Sequence, residues 1–245
     1  MAVEREPEAV AGRLRENLDR IESEITAACR QAGRPRAEVA LMAVSKMHPA
    51  SAVLAAEALG IRLFGENKVQ EFQQKRLRLG DLPGAEFHLI GHLQSNKAAR
   101  AAELFASIDT LDSVSLAERL NQAATRLGRR LAVLIEIKLS HEASKAGLEP
   151  DSAELGLLLE RLPDLSSLEL RGLMTVPPYL EDLSAVRPYF ARLRELRDRL
   201  AAAHPRLSLN ELSMGMSHDF SVAIAEGATQ VRIGTALFGA RDYSR

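Results

Sequence analysis

Cysteine is almost absent from the sequence, which has Cys29 alone and no tryptophan in 245 residues. A single cysteine cannot form an intramolecular disulfide, so a reducing compartment, the cytoplasm, is expected. The longest apolar runs are far shorter than the roughly 20 residues that cross a bilayer. The N-terminus also lacks the apolar segment of a signal peptide. These absences predict a protein without a membrane span or secretion signal.

An excess of either charge is missing as well. The chain has 32 Lys and Arg against 33 Asp and Glu, a net charge of −1. This balance gives no electrostatic reason to expect DNA, RNA or an anionic membrane as partner. A hydrophobic share of 46% excludes a disordered chain. A small molecule or another protein is the expected partner.

An amphipathic helix opens the chain, over residues of about 7–32. Its apolar positions Leu14, Leu18, Ile21 and Ile25 recur at steps of four and three among many charges. The glycine and proline that follow predict its end. The helix precedes a second, repeating pattern.

Strand-like and helix-like segments alternate from residue 38 to about 240. Helices are expected at about 69–79, 96–104, 116–127 and 185–203, among others. Eight such units in roughly 200 residues favour a (β/α)8 TIM barrel, and no linker interrupts them. The sequence predicts one domain over 1–245, with nowhere for a second domain to sit, and a monomer. The predicted strands lie in "EVALMAVSK", "RLFGEN", "FHLIGH", "SIDTLD", "LAVLIEIKLS", "LRGLMTV", "LNELSMGMS" and "QVRIGTALFG".

Lys46 stands at the end of the first predicted strand, where barrels of this class carry their chemistry. Partial burial lowers the pKa of a lysine and supplies the neutral amine that attacks an aldehyde, so Schiff-base chemistry is one interpretation. An ion pair with Glu66 or another acid inside the barrel mouth is the other. Position alone leaves both open.

Two glycine-bearing segments, "SMGMSHD" and "RIGTALFG", end the seventh and eighth strands, the frequent phosphate site of this fold. Glycine lets backbone N–H groups approach an anion, and Ser213, Ser217 and Thr235 add hydroxyl groups. Close backbone packing would explain Gly215 or Gly234 equally well. The loops are therefore a candidate phosphate site.

A set of motifs links these segments to a known family. The chain contains "AVSK", "FGEN", "FHLIGHLQSNK", "SKAGL", "LRGLMT" and "LSMGMSHDF", followed by "VRIGTALFG". In this order and at these separations they resemble the YggS/PROSC family of pyridoxal-5′-phosphate (PLP) binding proteins, also called pyridoxal phosphate homeostasis proteins. The resemblance covers essentially the whole chain.

The resemblance implies a barrel like the N-terminal domain of alanine racemase and PLP as the cofactor. The implied function is storage, buffering or delivery of PLP, with PLP-dependent apo-enzymes as recipients and no catalytic residue. Gly234 and Thr235 are implied phosphate ligands, helped by Ser213 and the backbone near Met214, and Arg232 is the implied partner of the pyridine nitrogen. The full predicted cofactor-binding set is Lys46 (Schiff base), Asn67, Met174, Ser213, Met214, Arg232, Gly234 and Thr235.

An enzyme is the alternative, because Lys46 and PLP together also suit an amino-acid racemase. Against it, an always-charged guanidinium disfavours protonation of the pyridine nitrogen, and the ring is then a weaker electron sink. A racemase would need a second acid or base, for which His92 and Lys145 are candidates. An aldolase-like barrel, with Lys46 on a sugar phosphate, is a third possibility.

A metal site is not predicted. His88 and His92 are four residues apart, which on a strand separates them by about 13 Å at roughly 3.3 Å per residue. A hydrogen-bonded histidine in or near the barrel mouth is expected instead.

Overall fold

Eight parallel strands close into a barrel in the computed structural model, which describes residues 5–140 and 146–240. Each strand pairs with the next one along the chain, and the eighth returns to the first, with Ala40 opposite Gln230 and Ala43 opposite Ile233. The predicted (β/α)8 barrel is confirmed. The strands are β1 Ala40–Val44, β2 Leu63–Glu66, β3 Glu86–Leu89, β4 Ser107–Leu111, β5 Leu131–Glu136, β6 Leu168–Met174, β7 Glu211–Met216 and β8 Gln230–Ile233.

Helices follow the strands and cover the outside of the barrel. Within the described residues, none combines the length and the apolar character needed to cross a bilayer. Short 3₁₀ turns lie at Arg36–Glu38, Ser95–Lys97 and Leu162–Asp164. The helices are α1 Arg5–Gln31, α2 Ala50–Ala58, α3 Val69–Leu79, α4 Ala98–Leu104, α5 Val114–Arg126, α6 Ala153–Arg161, α7 Leu183–Ala203, α8 Phe220–Ala225 and α9 Thr235–Phe238.

The last predicted strand is shorter than expected. "QVRIGTALFG" is strand only as far as Ile233, and the residues after Gly234 form α9. The backbone N–H groups of Leu237 and Phe238 both donate to the carbonyl oxygen of Gly234, at 3.0 and 2.9 Å. The chain therefore turns at Gly234, which places Thr235 at the rim of the barrel.

The leading helix α1 packs on α8 and α9. Its apolar side is buried, including Ile21, Ile25 and Cys29, so the single cysteine is a packed side chain. Asn17 Nδ2 donates to the carbonyl of Leu237 at 3.0 Å. The predicted N-terminal helix thus fixes the helix that follows β8.

Helix α3 is anchored by aromatic rings. The ring centroid of Phe72 lies 4.6 Å from that of Phe87 and 4.8 Å from that of Phe105. All three rings are buried. Burying such side chains contributes about 1.5–3 kcal/mol each. The start of α3, next to the end of β1, is therefore held firmly against the barrel.

Candidate functional site

A cavity of about 620 Å³ opens at the carboxyl ends of the strands. Strand-to-helix loops form its walls, as expected for this barrel class. Much of the lining is apolar, and the polar groups are few and convergent, which is the usual composition of a small-molecule site. The lining residues are Val44, Lys46, Asn67, Ile90, Val176, Tyr179, Met216, Ser217, His218, Arg232, Gly234, Thr235 and Ala236.

Lys46 follows β1 by two residues and is half-buried in this cavity. Its Nζ lies 3.4 Å from Oδ1 of Asn67, the residue after β2. A Cβ at Gly91 would lie 2.3 Å from the carbonyl oxygen of Asn67. Glycine is therefore required at position 91 for Asn67 to occupy its place beside Lys46.

The acid named as a partner for Lys46, Glu66, is engaged elsewhere. Its Oε1 accepts from Ser45 Oγ at 2.7 Å and from Lys75 Nζ at 2.5 Å. Both Glu66 and Lys75 are buried. Lys75 thus balances the charge of Glu66, and the ion-pair interpretation of Lys46 loses its named acid.

Arg232 lies in β8 with its guanidinium at the base of the cavity. Nη1 donates to Ser213 Oγ and Nη2 to the carbonyl of Thr175, both at 2.8 Å. Burial lowers the pKa of Arg232, and the nearby carboxylates of Asp109, Glu136 and Asp219 oppose that shift. The guanidinium is held in a fixed orientation by two neighbouring strands.

Two backbone amides converge on one hydroxyl at the rim. The N–H groups of Gly234 and Ala236 both point at Ser217 Oγ, at 3.3 and 3.4 Å. Ser217 reaches them because the chain turns at Gly215, where φ is +93° and a Cβ would lie 2.6 Å from that of Ala223. Only glycine suits that turn. Two amide N–H groups that donate to one oxygen here form a cradle suited to the oxygens of an anion.

A buried polar chain runs from Arg232 across the barrel interior. Gln230 Nε2 donates to Ser213 Oγ at 2.8 Å and lies 3.4 Å from Asp109 Oδ2. Asp109 also lies 3.1 Å from His88 Nδ1. Because β4 and β8 lie on opposite sides of the barrel, a contact between Asp109 and Gln230 must cross its centre. Asp109, in the middle of β4, is therefore a fully buried interior residue.

The pKa values in this chain are set by mutual stabilisation of the charges. Burial by itself lowers the pKa of His88, but Asp109 and Glu86 together outweigh it and raise the value to about 9. Burial likewise opposes ionisation of Asp109, yet His88, Ser107 and Gln230 together lower its pKa. An ion pair of His88 and Asp109 therefore lies inside the barrel at neutral pH.

Acidic groups lie beside the cavity, where Glu136 lines a smaller pocket that shares Val176 with it. His92 Nδ1 lies 3.2 Å from Asp112 Oδ2 in the loops after β3 and β4, as the expected hydrogen-bonded histidine. Burial, with the charge of Asp112, raises the pKa of Glu136 to about 7, against the opposing effect of Arg232. Glu136 was not predicted from the sequence. Its position at the end of an apolar strand could have identified it, because strand ends carry the functional groups in this fold.

The structure brings five of the eight predicted cofactor-binding residues together around the cavity: Lys46, Asn67, Arg232, Gly234 and Thr235. The other three, Met174, Ser213 and Met214, are fully buried in β6 and β7 and are outside its lining. Ser213 still acts on the site, since it orients Arg232. Lys145 lies outside the described residues.

Aromatic groups at the rim were missed by the sequence analysis. The rings of Tyr179 and His218 lie 4.5 Å apart and tilted by 36°. Tyr179 is largely exposed at the cavity edge, in the loop after β6. In the sequence, only their positions after strands six and seven indicated that these two rings lie at the mouth of the barrel. Among the described residues, no group of three or more His, Cys, Asp or Glu is arranged to hold a metal ion.

Comparison with known families decides the relationship, because residues 17–242 match the family described as "Alanine racemase, N-terminal domain". The chain belongs to the alanine racemase N-terminal domain family. Members with this barrel include the alanine racemase of Clostridium difficile, which shares 18% identity over 95% of this chain and 58% of that chain, with a TM-score of 0.69. At that identity the likeness establishes the fold alone.

Several more similar family members carry one name. "Pyridoxal phosphate homeostasis protein" of Pseudomonas aeruginosa is 46% identical over 93% of this chain and 96% of that protein. The protein of the same name from Aquifex aeolicus is 44% identical over 93% and 98%. A solved structure of PipY from Synechococcus elongatus, with PLP bound, has 44% identity and a TM-score of 0.78 over 89% of this chain and 100% of that one.

Proposed function

We propose that this protein binds PLP and serves PLP homeostasis by storing, buffering or delivering the cofactor. The observation that carries the proposal is that one cavity presents an amine, a guanidinium and an anion cradle: Lys46, Arg232, and the amides of Gly234 and Ala236. These groups match the aldehyde, the pyridine nitrogen and the phosphate of PLP. The names of the relatives and the PLP-bound PipY structure support the same cofactor.

Each residue has a proposed task. Lys46 holds PLP as a Schiff base through Nζ, with Asn67 beside it. Arg232 faces the pyridine nitrogen, while Gly234, Thr235 and Ser217 receive the phosphate. When bound, PLP supplies an electrophilic aldehyde and an electron-withdrawing ring. A guanidinium partner disfavours protonation of that ring, which limits its use as an electron sink and favours holding over turnover.

The domain organisation, oligomeric state, location and recipients of the protein are further parts of the proposal. We propose one functional domain over 1–245, supported by the packing of α1 on α8 and α9. The monomeric state and the cytoplasmic location stay predictions, the first of which sedimentation velocity checks. Apo-enzymes that need PLP are the proposed recipients.

Delivery is tested by transfer of PLP to an apo-enzyme in the presence of an excess of a PLP-trapping phosphatase. With the trap present, direct delivery predicts that the PLP-loaded protein restores the activity of the apo-enzyme faster than free PLP does. Both sources are compared at the same total PLP concentration. Equal protection from the trap in a Lys46→Ala preparation would contradict direct delivery. If the trap abolishes the recovery of enzyme activity, the protein releases PLP into solution and acts only as a buffer of the free cofactor.

A racemase-like enzyme is the second candidate, and the pair of His92 and Asp112 with the nearby Glu136 favours it. Glu136 lines a smaller pocket that shares Val176 with the cavity, and His92 lines another that shares Asn67 with it. The test is incubation of the PLP-loaded protein with single enantiomers of amino acids, followed by chiral chromatography. Sustained turnover that Glu136→Gln removes would establish the enzyme and overturn the carrier proposal.

Removing the Ser217 hydroxyl is expected to weaken PLP binding about fivefold, because one hydrogen-bonding group contributes about 1 kcal/mol. Ser217→Ala tests this by fluorescence titration with pyridoxine 5′-phosphate, which has the same phosphate and no aldehyde. Ser208→Ala, an exposed loop serine, is the matched control and should bind as the wild type does. Unchanged affinity in Ser217→Ala would place the phosphate elsewhere.

A further inference from the structure

The backbone on both sides of Lys46 is held by side chains of α3. Lys75 Nζ donates to the carbonyl oxygen of Ser45 at 2.8 Å. Glu71 Oε1 accepts from the backbone N–H of Met47 at 2.5 Å. The two peptide groups that flank Lys46 are thus bound by residues four apart on one helix, which the ring of Phe72 anchors to the barrel.

Met47 has an unusual backbone conformation. Its φ is +63°, and it is alone in this among the non-glycine residues of ranges 5–140 and 146–240. A side chain at positive φ is disfavoured because its Cβ crowds the neighbouring carbonyl oxygen. Such a conformation persists only where surrounding contacts impose it, and it often marks a functional site. The hydrogen bond from Met47 to Glu71 is a contact of that kind.

The turn at Met47 decides where Lys46 points. Ser45 donates its hydroxyl to Glu66, whereas Lys46, in the turn that follows β1, lines the cavity. After Lys46 the chain must leave the strand at once, since α2 begins at Ala50. The left-handed residue makes this reversal without drawing Lys46 out of the cavity.

The charges around the turn are balanced within α3 and β2. Lys75 lies 2.5 Å from Glu66 and 3.5 Å from Glu71, and it is only 7% exposed. The same Oε1 of Glu71 therefore lies beside the Lys75 amine and accepts from the N–H of Met47, so Lys75 and Met47 together hold this oxygen in place.

We propose that Glu71 is a positioning residue for the attachment of PLP to Lys46, and that it acts by holding Met47 in the left-handed conformation. The inference rests on the proposed function. In the attachment step the neutral amine of Lys46 adds to the aldehyde carbon. A C=N bond forms, and both amine hydrogens leave with the aldehyde oxygen as water.

The experiment measures the rate at which PLP becomes fixed to Lys46 by borohydride, read by mass spectrometry of the labelled peptide. Glu71→Ala is expected to slow attachment about tenfold, the size of the penalty for positive φ at a non-glycine residue. Glu71→Gln keeps a hydrogen-bond acceptor and should stay within about twofold of the wild type. Gln74→Ala, exposed on the same helix, is the matched control.

A second substitution tests the conformation itself. Adding Met47→Gly to Glu71→Ala should restore most of the rate, because glycine adopts positive φ without penalty. Met47→Val, with Glu71 intact, should slow attachment, because β-branched residues tolerate this region least. The affinity of each variant for pyridoxine 5′-phosphate should remain within about twofold, since a bond beside Lys46 does not touch the phosphate cradle.

The outcomes separate the two proposals. If Glu71→Ala attaches PLP as fast as the wild type does, the role of Glu71 is overturned and the proposed function is unaffected. Failure of Met47→Gly to rescue, or equal slowing by Glu71→Gln, overturns the conformational explanation. A wild type that fixes no PLP at Lys46 overturns the proposed function and the inference with it.

Discussion

Lys46→Ala is expected to abolish covalent fixation of PLP, by at least about 100-fold, while phosphate-dependent binding persists. Lys46 is the lysine that lines the large cavity with Arg232 and the amide cradle. Its replacement removes a half-buried amine and no large apolar surface, so the fold should remain intact. The measurement is visible absorbance with added PLP, before and after borohydride, combined with circular dichroism.

Lys68→Ala is the matched control for this substitution. Lys68 follows the neighbouring strand β2 by two residues, but its side chain is exposed. The control should fix PLP as the wild type does. Covalent fixation of PLP by borohydride in Lys46→Ala would show that another lysine anchors the cofactor. The absence of any band in the wild type would instead favour a barrel in which Lys46 acts directly on a sugar phosphate.

Asp109→Asn is expected to lower the free energy of unfolding by about 3–5 kcal/mol, the usual cost of breaking a buried ion pair from one side. Asp109 is fully buried, lies 3.1 Å from His88 and accepts from Ser107 Oγ at 2.6 Å. An amide at this position leaves the charge of His88 with only the exposed carboxylate of Glu86, 3.7 Å from Nε2, to balance it. Urea denaturation measures the change.

Asp198→Asn is the control for the stability measurement, because Asp198 is exposed on α7 and pairs only with its neighbour Arg197 among the described residues. It should change the free energy of unfolding by less than about 0.5 kcal/mol. A loss in Asp109→Asn no larger than this would mean that the interior pair contributes nothing to stability. A shift in the PLP absorption band of Asp109→Asn would show that the polar chain also orients Arg232.

The same ion pair predicts a pH dependence of stability. The pKa of His88 is raised from its ordinary 6.5 to about 9 in the folded protein. The stability contributed by this shift is therefore fully present below about pH 6.5 and is lost as the pH rises through about 9. Urea midpoints measured between pH 6 and pH 10 should fall over that window. In Asp109→Asn this part of the fall should disappear, and a wild-type profile in the variant would contradict the assignment.

Much of the architecture was predictable because it depends on local patterns. The spacing of apolar residues predicted the leading helix, and the alternation of strands and helices predicted the barrel. The bounds of α3 agree with the predicted 69–79. Lys46 was identified because strand ends in this fold share one face, whereas Asn67 and Arg232 were implied by the family resemblance. The turn at Gly234 was not foreseen, since an apolar run such as "TALFG" is compatible with either strand or helix.

The amino-acid sequence by itself determined the barrel, the place of Lys46 at its mouth and the glycines of the cradle, because periodicity, strand ends and turn residues are local properties. Only the tertiary structure decided which side chains meet. It paired Glu66 with Lys75, placed Asp109 opposite Gln230 inside the barrel, and imposed a positive φ on Met47. These contacts join residues that are 9, 121 and 24 positions apart in the chain and lie in different elements. They therefore exist only once the barrel has closed and α3 has packed against β1.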